Sequence, residues 1–183
     1  MKKARINILG IEIDPLTMQE TVNSVERYVL EKKALHLMGV NADKINQCHD
    51  DEEIRKIVNE SGIINADGAS VVLASKFLGS PIPERVAGID LMQELLHLAN
   101  EKGYSVYLFG AKEEVLTDML AIFKKDYPNL QVVGRRNGYF SAEEEEIIQE
   151  DIRKKDPDFF FVGITSPKKE YLIQKFMDNG VNS

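Results

Sequence analysis

Short apolar runs alternate with stretches of helical periodicity along almost the whole of this 183-residue chain, and that alternation restricts the fold more than any other feature. Residues 35–40, 62–66, 104–109, 130–133 and 158–162 read as buried strands. The last of these is a run of mostly aromatic and β-branched residues, as expected of a central strand. Between and after them, residues 42–60, 69–78, 89–102, 112–125, 141–155 and 167–177 carry apolar side chains at helical spacing. Strands separated by helices require crossover connections, so the predicted fold is α/β, a Rossmann-like doubly wound and largely parallel sheet with helices on both faces. Ahead of it, residues 6–9 and 11–13 flank Gly10 and read as a small β hairpin that Asp14-Pro15 ends. A helix follows, opened by the capping box Thr17-Met-Gln-Glu20, with Met18, Val22, Val25 and Val29 on one face. No repeat or linker interrupts the pattern, and residues 1–183 read as a single domain.

Composition narrows the functional classes. Hydrophobic residues make up 43% and charged residues 29%, the balance of an ordinary globular protein. A formal net charge of -7 disfavours nucleic acid as a partner, so contact with phosphate must come from local cations. Lys2, Lys3 and Arg5, Arg135 and Arg136, Arg153 to Lys155, and Lys168 with Lys169 supply such clusters. One cysteine, Cys48, excludes an internal disulfide. His36 and His97 lie inside apolar patterns, and no His, Cys and acidic residues show metal-ligand spacing. No window approaches the ~20 apolar residues of a membrane-spanning helix.

In an open parallel sheet, ligands bind outside the carboxyl ends of the strands. Asn41, Asp67-Gly68, Gly110-Ala-Lys, Gly134-Arg-Arg-Asn-Gly138 and Gly163-Ile-Thr-Ser-Pro-Lys-Lys169 all follow predicted strands. Asp67 is positioned to act as a general base, or equally to N-cap the helix that follows it. Gly110 permits close backbone approach to a pyrophosphate with a helix N-terminus behind it, or simply makes a tight turn. Ser166 reads as an N-cap with Pro167 at the first helical position, and with Lys168 and Lys169 it forms an anion site or an ordinary capped helix. Arg85, in a loop stiffened by Pro81 and Pro83, suits phosphate or carboxylate recognition, or pairs with Glu84. The dinucleotide fingerprint G-x-G-x-x-G and the P-loop are both absent, which weakens a nucleotide-dependent oxidoreductase reading. These residues describe a phosphate- or nucleotide-binding domain, catalytic or not, and physics alone does not name a reaction.

Five segments in order resemble one family. Ile64-Asn-Ala-Asp-Gly-Ala-Ser-Val-Val72, Ile82-Pro-Glu-Arg-Val-Ala-Gly-Ile-Asp-Leu91 and Val106-Tyr-Leu-Phe-Gly110 are similar to successive blocks of the WecG/TagA/CpsF glycosyltransferases. Gly134 through Phe140, and Phe161-Val-Gly-Ile-Thr-Ser-Pro-Lys-Lys-Glu170, continue the match. The resemblance implies an inverting, metal-independent hexosyltransferase without a cofactor. It would move N-acetylmannosamine from a UDP-sugar donor to a polyprenyl-diphosphate-linked N-acetylglucosamine acceptor, in wall teichoic acid synthesis. It implies Asp67 as the base, Arg85 on a diphosphate, and Asn41, Gly110, Gly134, Ser166, Lys168 and Lys169 as substrate-binding positions. The same resemblance implies work at the cytoplasmic face of the membrane, and it leaves homo-oligomers open.

Two positions depart from the family pattern: Gly39 stands where threonine is common, and Lys169 where glutamine is common. The helix stop Asp178-Asn-Gly180 is followed by Val181, which reads as the start of a further element. Relatives are expected to continue from there with a basic, amphipathic segment that meets the membrane. The 183-residue form is therefore expected to be soluble, folded and nearly inactive.

Overall fold

A computed structural model describes residues 4–182 of the chain; Lys2, Lys3 and Ser183 lie outside the described residues. The architecture is mixed α/β, with parallel strands, helices around them and a small antiparallel hairpin at the N-terminal end. The chain divides into two compact units, one of residues 4–31 and 35–91, the other of residues 32–34 and 92–182.

In the first unit, β1 (Ile6–Ile8) and β2 (Ile11–Ile13) pair antiparallel, Ile6 opposite Ile13 and Ile8 opposite Ile11. Leu9 and Gly10 both adopt positive φ, 51° and 86°, the backbone that a two-residue turn between right-twisted strands demands. Helix α1 (Met18–Leu30) carries the complete Thr17–Glu20 capping box and buries Val22 and Val25. Strands β3 (Leu37–Val40) and β4 (Ile63–Ala66) pair in parallel, with Val40 opposite Ala66.

The sequence pattern suggested one helix over residues 42–60, but the chain forms α2 (Ala42–Asp50) and α3 (Glu52–Glu60). Asp51 breaks it. Its carboxylate accepts from the amides of Glu53 and Ile54 at 3.0 and 3.1 Å, replacing the helical bonds those amides would otherwise make. Helix α4 (Ala69–Phe77) follows β4, and α5 (Gly88–Lys102) carries the chain into the second unit. The proline-rich loop between them is anchored by buried Ile82, Val86 and Ala87. The Ile82 amide donates to Ser75 Oγ at 2.9 Å, and that of Val86 to the Ala66 carbonyl at 2.9 Å.

Arg5, read from sequence with Lys2 and Lys3 as a surface cation, is structural. It pairs with the buried Asp14 carboxylate at 3.1 Å and donates to the carbonyls of Asn59, Ser61 and Gly62. Asp14 in turn exchanges two bonds with Ile64: its amide donates to the Ile64 carbonyl, and its carboxylate accepts from the Ile64 amide, each at 2.8 Å.

In the second unit, β5 (Ser105–Gly110) lies centrally between β6 (Gln131–Arg136) and β7 (Phe159–Gly163), all parallel. The five crossover strands thus pair as β3–β4 in one unit and β6–β5–β7 in the other. Helices α6 (Glu113–Asp126), α7 (Ala142–Lys155) and α8 (Lys168–Asp178) alternate with the strands of the second unit. Its core gathers Tyr107, Phe109, Ile148, Ile152, Leu172, Phe176 and Val181. The rings of Phe109, Phe160 and Phe176 stack at centroid separations of 6.0–6.5 Å.

Val181, read from sequence as the start of a further element, completes the cap of α8. Gly180 adopts φ 87°, its amide donates to the Met177 carbonyl, and the Val181 amide donates to that of Phe176. That is the Schellman pattern, with the apolar residue after the glycine folded back onto the core.

Candidate functional site

The parallel register of β3 and β4 sets Asn41 and Asp67 side by side, each the first residue beyond its strand. The amides of Asp67 and Gly68 both donate to the Val40 carbonyl, at 2.9 and 3.2 Å, so the turn after β4 is clamped to the end of β3. Asn41 is committed locally: it N-caps α2, its side-chain oxygen accepting from the Lys44 amide at 2.9 Å. Asp67 is not committed in that way. Gly68, not Asp67, occupies the N-cap of α4, and no side chain caps that helix. The sequence left base and cap as equal roles for Asp67, and the cap role is now removed.

Arg85 is held beside Asp67. Its Nε donates to the Asp67 carbonyl at 2.6 Å, and its guanidinium lies 3.9 Å from the carboxylate. The alternative partner, Glu84, is occupied elsewhere and accepts from the Met18 amide at 2.9 Å. Buried Val86 and Ala87 pin the loop just beyond Arg85, which leaves the arginine side chain 52% exposed beside a carboxylate that is 33% exposed. Both charges therefore face water and can meet a ligand. The pair is too open to count as a stability device, because exposed ion pairs contribute little.

Two glycines, Gly39 and Gly88, make room around this carboxylate, and a third, Gly68, lies against Asn41. A Cβ added at Gly39 would stand 3.3 Å from Asp67 Cβ and Oδ2; one at Gly68 would stand 3.1 Å from Asn41, and one at Gly88 would stand 3.8 Å from Asp67 Oδ2. Sequence reasoning marked Gly39 only as a departure from the family pattern and missed Gly88. The signal was Gly39 itself, an exposed glycine in the middle of an otherwise apolar strand.

The predicted site residues of the second unit divide. Gly110 does end β5, at φ 129°, but the space a Cβ would take is filled by the backbone of Gly163. The next residue, Ala111, takes the uncommon φ of 56°, donates to the Gly163 carbonyl and accepts from the Gly138 amide. The turns after the three strands are thus sewn together, with a strained residue at their meeting point. Gly134 was placed after its strand by sequence; it lies inside β6. The register slips by one residue between Val106 and Tyr107, and Gly134 stands opposite Tyr107, whose ring fills the glycine's empty side. Its smallness serves packing.

Ser166 is not the N-cap of α8 either. Pro167 holds that position in helical conformation, and the Lys169 amide donates to the Thr165 carbonyl. Lys168 lies 4.3 Å from the Phe140 ring centroid, and Lys169 lies 3.5 Å from the buried Glu170 carboxylate. Of the other cation clusters, Arg135 pairs with Glu113 at 3.0 Å and Arg136 with Glu144. Acidic Glu113 and Glu114 already occupy the first turn of α6, so that helix start is a poor place for a pyrophosphate.

A polar cluster that sequence reading missed joins Tyr107, Asp151 and Lys155. The Tyr107 hydroxyl donates to Asp151 at 2.8 Å, and the Lys155 ammonium pairs with the same oxygen at 3.0 Å. Burial, then the hydrogen bond to Asp151, raises the Tyr107 phenol above its ordinary range. Burial pushes Asp151 upward, but hydrogen bonds from Lys155 and Tyr107 outweigh it and hold that carboxyl below the usual value.

Cys48 and His36 are buried, and the exposed His97 meets Tyr127 edge-on at 5.0 Å. Among the described residues, no three His, Cys, Asp or Glu side chains are grouped as metal ligands, and no helix is long and apolar enough to cross a membrane.

The β3–β4 pair thus carries a carboxylate joined to the Arg85 guanidinium at the strand-end edge, where open parallel sheets bind ligands. The chain belongs to the glycosyl transferase WecG/TagA/CpsF family, whose profile it matches over residues 6–181. It is 31% identical over 172 residues to an N-acetylglucosaminyldiphosphoundecaprenol N-acetyl-beta-D-mannosaminyltransferase of Staphylococcus aureus strain NCTC 8325 / PS 47. The alignment covers 93% of this chain and 67% of that relative. The proteins of the same name from strains COL and MRSA252 match with equal identity and coverage. The chain is therefore a glycosyltransferase.

Proposed function

We propose that this protein transfers N-acetylmannosamine from UDP-N-acetylmannosamine to undecaprenyl-diphosphate-linked N-acetylglucosamine, with inversion at the anomeric carbon and without a metal ion, as a step of wall teichoic acid synthesis. The observation that carries this reading is Asp67: a partly exposed carboxylate at a strand end, free of capping duty, with Arg85 beside it.

In the reaction, Asp67 accepts the proton of the acceptor hydroxyl as that oxygen attacks the anomeric carbon from the face opposite UDP. The new C–O bond forms as the bond to the donor diphosphate breaks, and UDP departs with the electron pair. Arg85, exposed and planar, holds a diphosphate by paired hydrogen bonds, and it supplies positive charge where the reading places no metal. The acceptor is lipid-borne, so the protein works as a peripheral enzyme at the inner membrane face.

Asp67→Asn tests this. Asparagine preserves size but accepts no proton, so turnover in the full-length protein should fall ~100-fold or more. The melting temperature and the affinity for UDP should stay unchanged, because Gly68 and not Asp67 caps α4. Turnover within a few-fold of wild type would remove Asp67 from the base role.

A further inference from the structure

Helix α4 starts two residues after Asp67 and is apolar on more than its buried face. Val71 and Ser75 are buried, as a helix lying on a core requires. On the opposite side Ala69, Leu73 and Phe77, at four-residue spacing, form an exposed stripe that Leu78 extends. Leu73 is 56% exposed, Phe77 83% and Leu78 59%. Only Lys76 and Ser70 border the stripe with polar groups. From Ala69 to Phe77 the helix rises about 12 Å. Ile89, another 64% exposed apolar residue, directly follows Gly88, which stands against the Asp67 carboxylate. Solvent-exposed apolar residues of this size, gathered on one helix face, mark a place where something apolar is held.

Three occupants fit an apolar face: a second copy of the chain, a bilayer surface, or a single apolar chain. Leu73, Phe77 and Leu78 together expose on the order of 400 Å², about half the ~800 Å² per partner that a stable dimer buries. Interfacial helices that hold a bilayer are rich in Lys and Arg on their polar face, and α4 has one lysine in nine residues. The stripe is narrow, and its helix starts two residues after Asp67. That geometry suits one extended hydrocarbon chain whose polar head sits at Asp67 and Arg85.

We propose that the exposed stripe of α4 is the track for the polyprenyl chain of the lipid-linked acceptor, leading it away from the Asp67–Arg85 site. This rests on the proposed function, since it takes that site to hold the acceptor's polar head. The stripe contributes affinity through apolar burial, and it sets the direction in which the lipid leaves the site. Leu73 and Phe77 are the residues that carry it.

The test compares two probes in dilute detergent: N-acetylglucosamine diphosphate bearing a chain of four isoprene units, and the same headgroup with a single isoprene. Wild-type protein should bind the longer probe ~100-fold more tightly, about tenfold for each large side chain newly covered. Leu73→Gln with Phe77→Gln should abolish that preference, leaving short-probe and UDP binding and the melting temperature unchanged. Both side chains point to water, so the double variant should fold.

Retention of the chain-length preference in the folded double variant overturns the track. So does a change from dimer to monomer on sedimentation with the preference intact, because the stripe would then be a contact between copies. Loss of binding to plain phospholipid vesicles, with the probe preference unaffected, overturns it in favour of a membrane contact. Failure of wild type to bind either probe overturns the acceptor site itself, and the track with it.

Discussion

Replacing Gly134 with alanine sets two effects against each other, and their balance tells whether this glycine serves packing or a ligand. Alanine restricts the unfolded chain and favours strand geometry, which alone should stabilise the protein by about 0.5–1 kcal/mol. Against this, the new methyl would lie 2.5 Å from Tyr107 Cδ2 and 2.9 Å from Lys155 Cδ, and it would overlap Cε2 of the ring. Tyr107 is almost wholly buried and tied to Asp151, so the ring cannot swing aside without losing that hydrogen bond. Forcing a methyl against a buried, hydrogen-bonded ring destabilises by about 1–3 kcal/mol, which offsets the entropic gain or exceeds it. The net loss, up to about 2.5 kcal/mol, corresponds to a fall in melting temperature of up to about 10 °C for a chain of this size. Thermal unfolding followed by circular dichroism measures it. Gly163→Ala provides the control in the same sheet, because its added methyl meets nothing closer than 3.8 Å and should leave stability within about 1 kcal/mol of wild type. A Gly134→Ala protein that melts at or above the wild-type temperature, with weakened UDP binding, would refute the packing argument and return Gly134 to the ligand.

Asn41→Ala removes the side-chain bond to the Lys44 amide and is expected to lower stability by about 1 kcal/mol, read as a fall of a few degrees in melting temperature. Arg5→Met strips the partner from the buried Asp14 and three carbonyls, and chemical denaturation should report a loss of about 3 kcal/mol. Asp151 has a folded-state pKa below its unfolded value, so its contribution to stability is present above about pH 4 and is lost as pH falls through the folded value. Asp151→Asn should therefore flatten the acid limb of the stability profile, and carbon NMR of the carboxyl should show a midpoint below the ordinary one that rises in Tyr107→Phe.

Much of this architecture was readable from the sequence, and the reasons are local. Alternating apolar runs and helical spacing depend on the burial period of each segment, so the parallel α/β class, the hairpin at Gly10 and the capping box at Thr17 follow from neighbours in the chain. Asp67 was legible as a candidate for a related reason, since a strand end in a parallel sheet is a ligand position wherever the strand goes. Asp51 shows where local reading fell short: an acidic residue inside a helical pattern both ends and starts a helix, and periodicity does not register that competition.

What only the tertiary structure decided is how side chains distant in sequence share space and partners. Gly134 and Tyr107 are separate motifs in the sequence, and a one-residue slip between β5 and β6 makes one the cavity for the other. Arg85 had Glu84 for a neighbour, but buried Val86 and the strand-end turn set it against Asp67, 18 residues earlier, while Glu84 went to the start of α1. A carboxylate's role as cap, ion partner or base is set by which donors reach it once the chain has packed, and contacts across such separations leave no periodic trace.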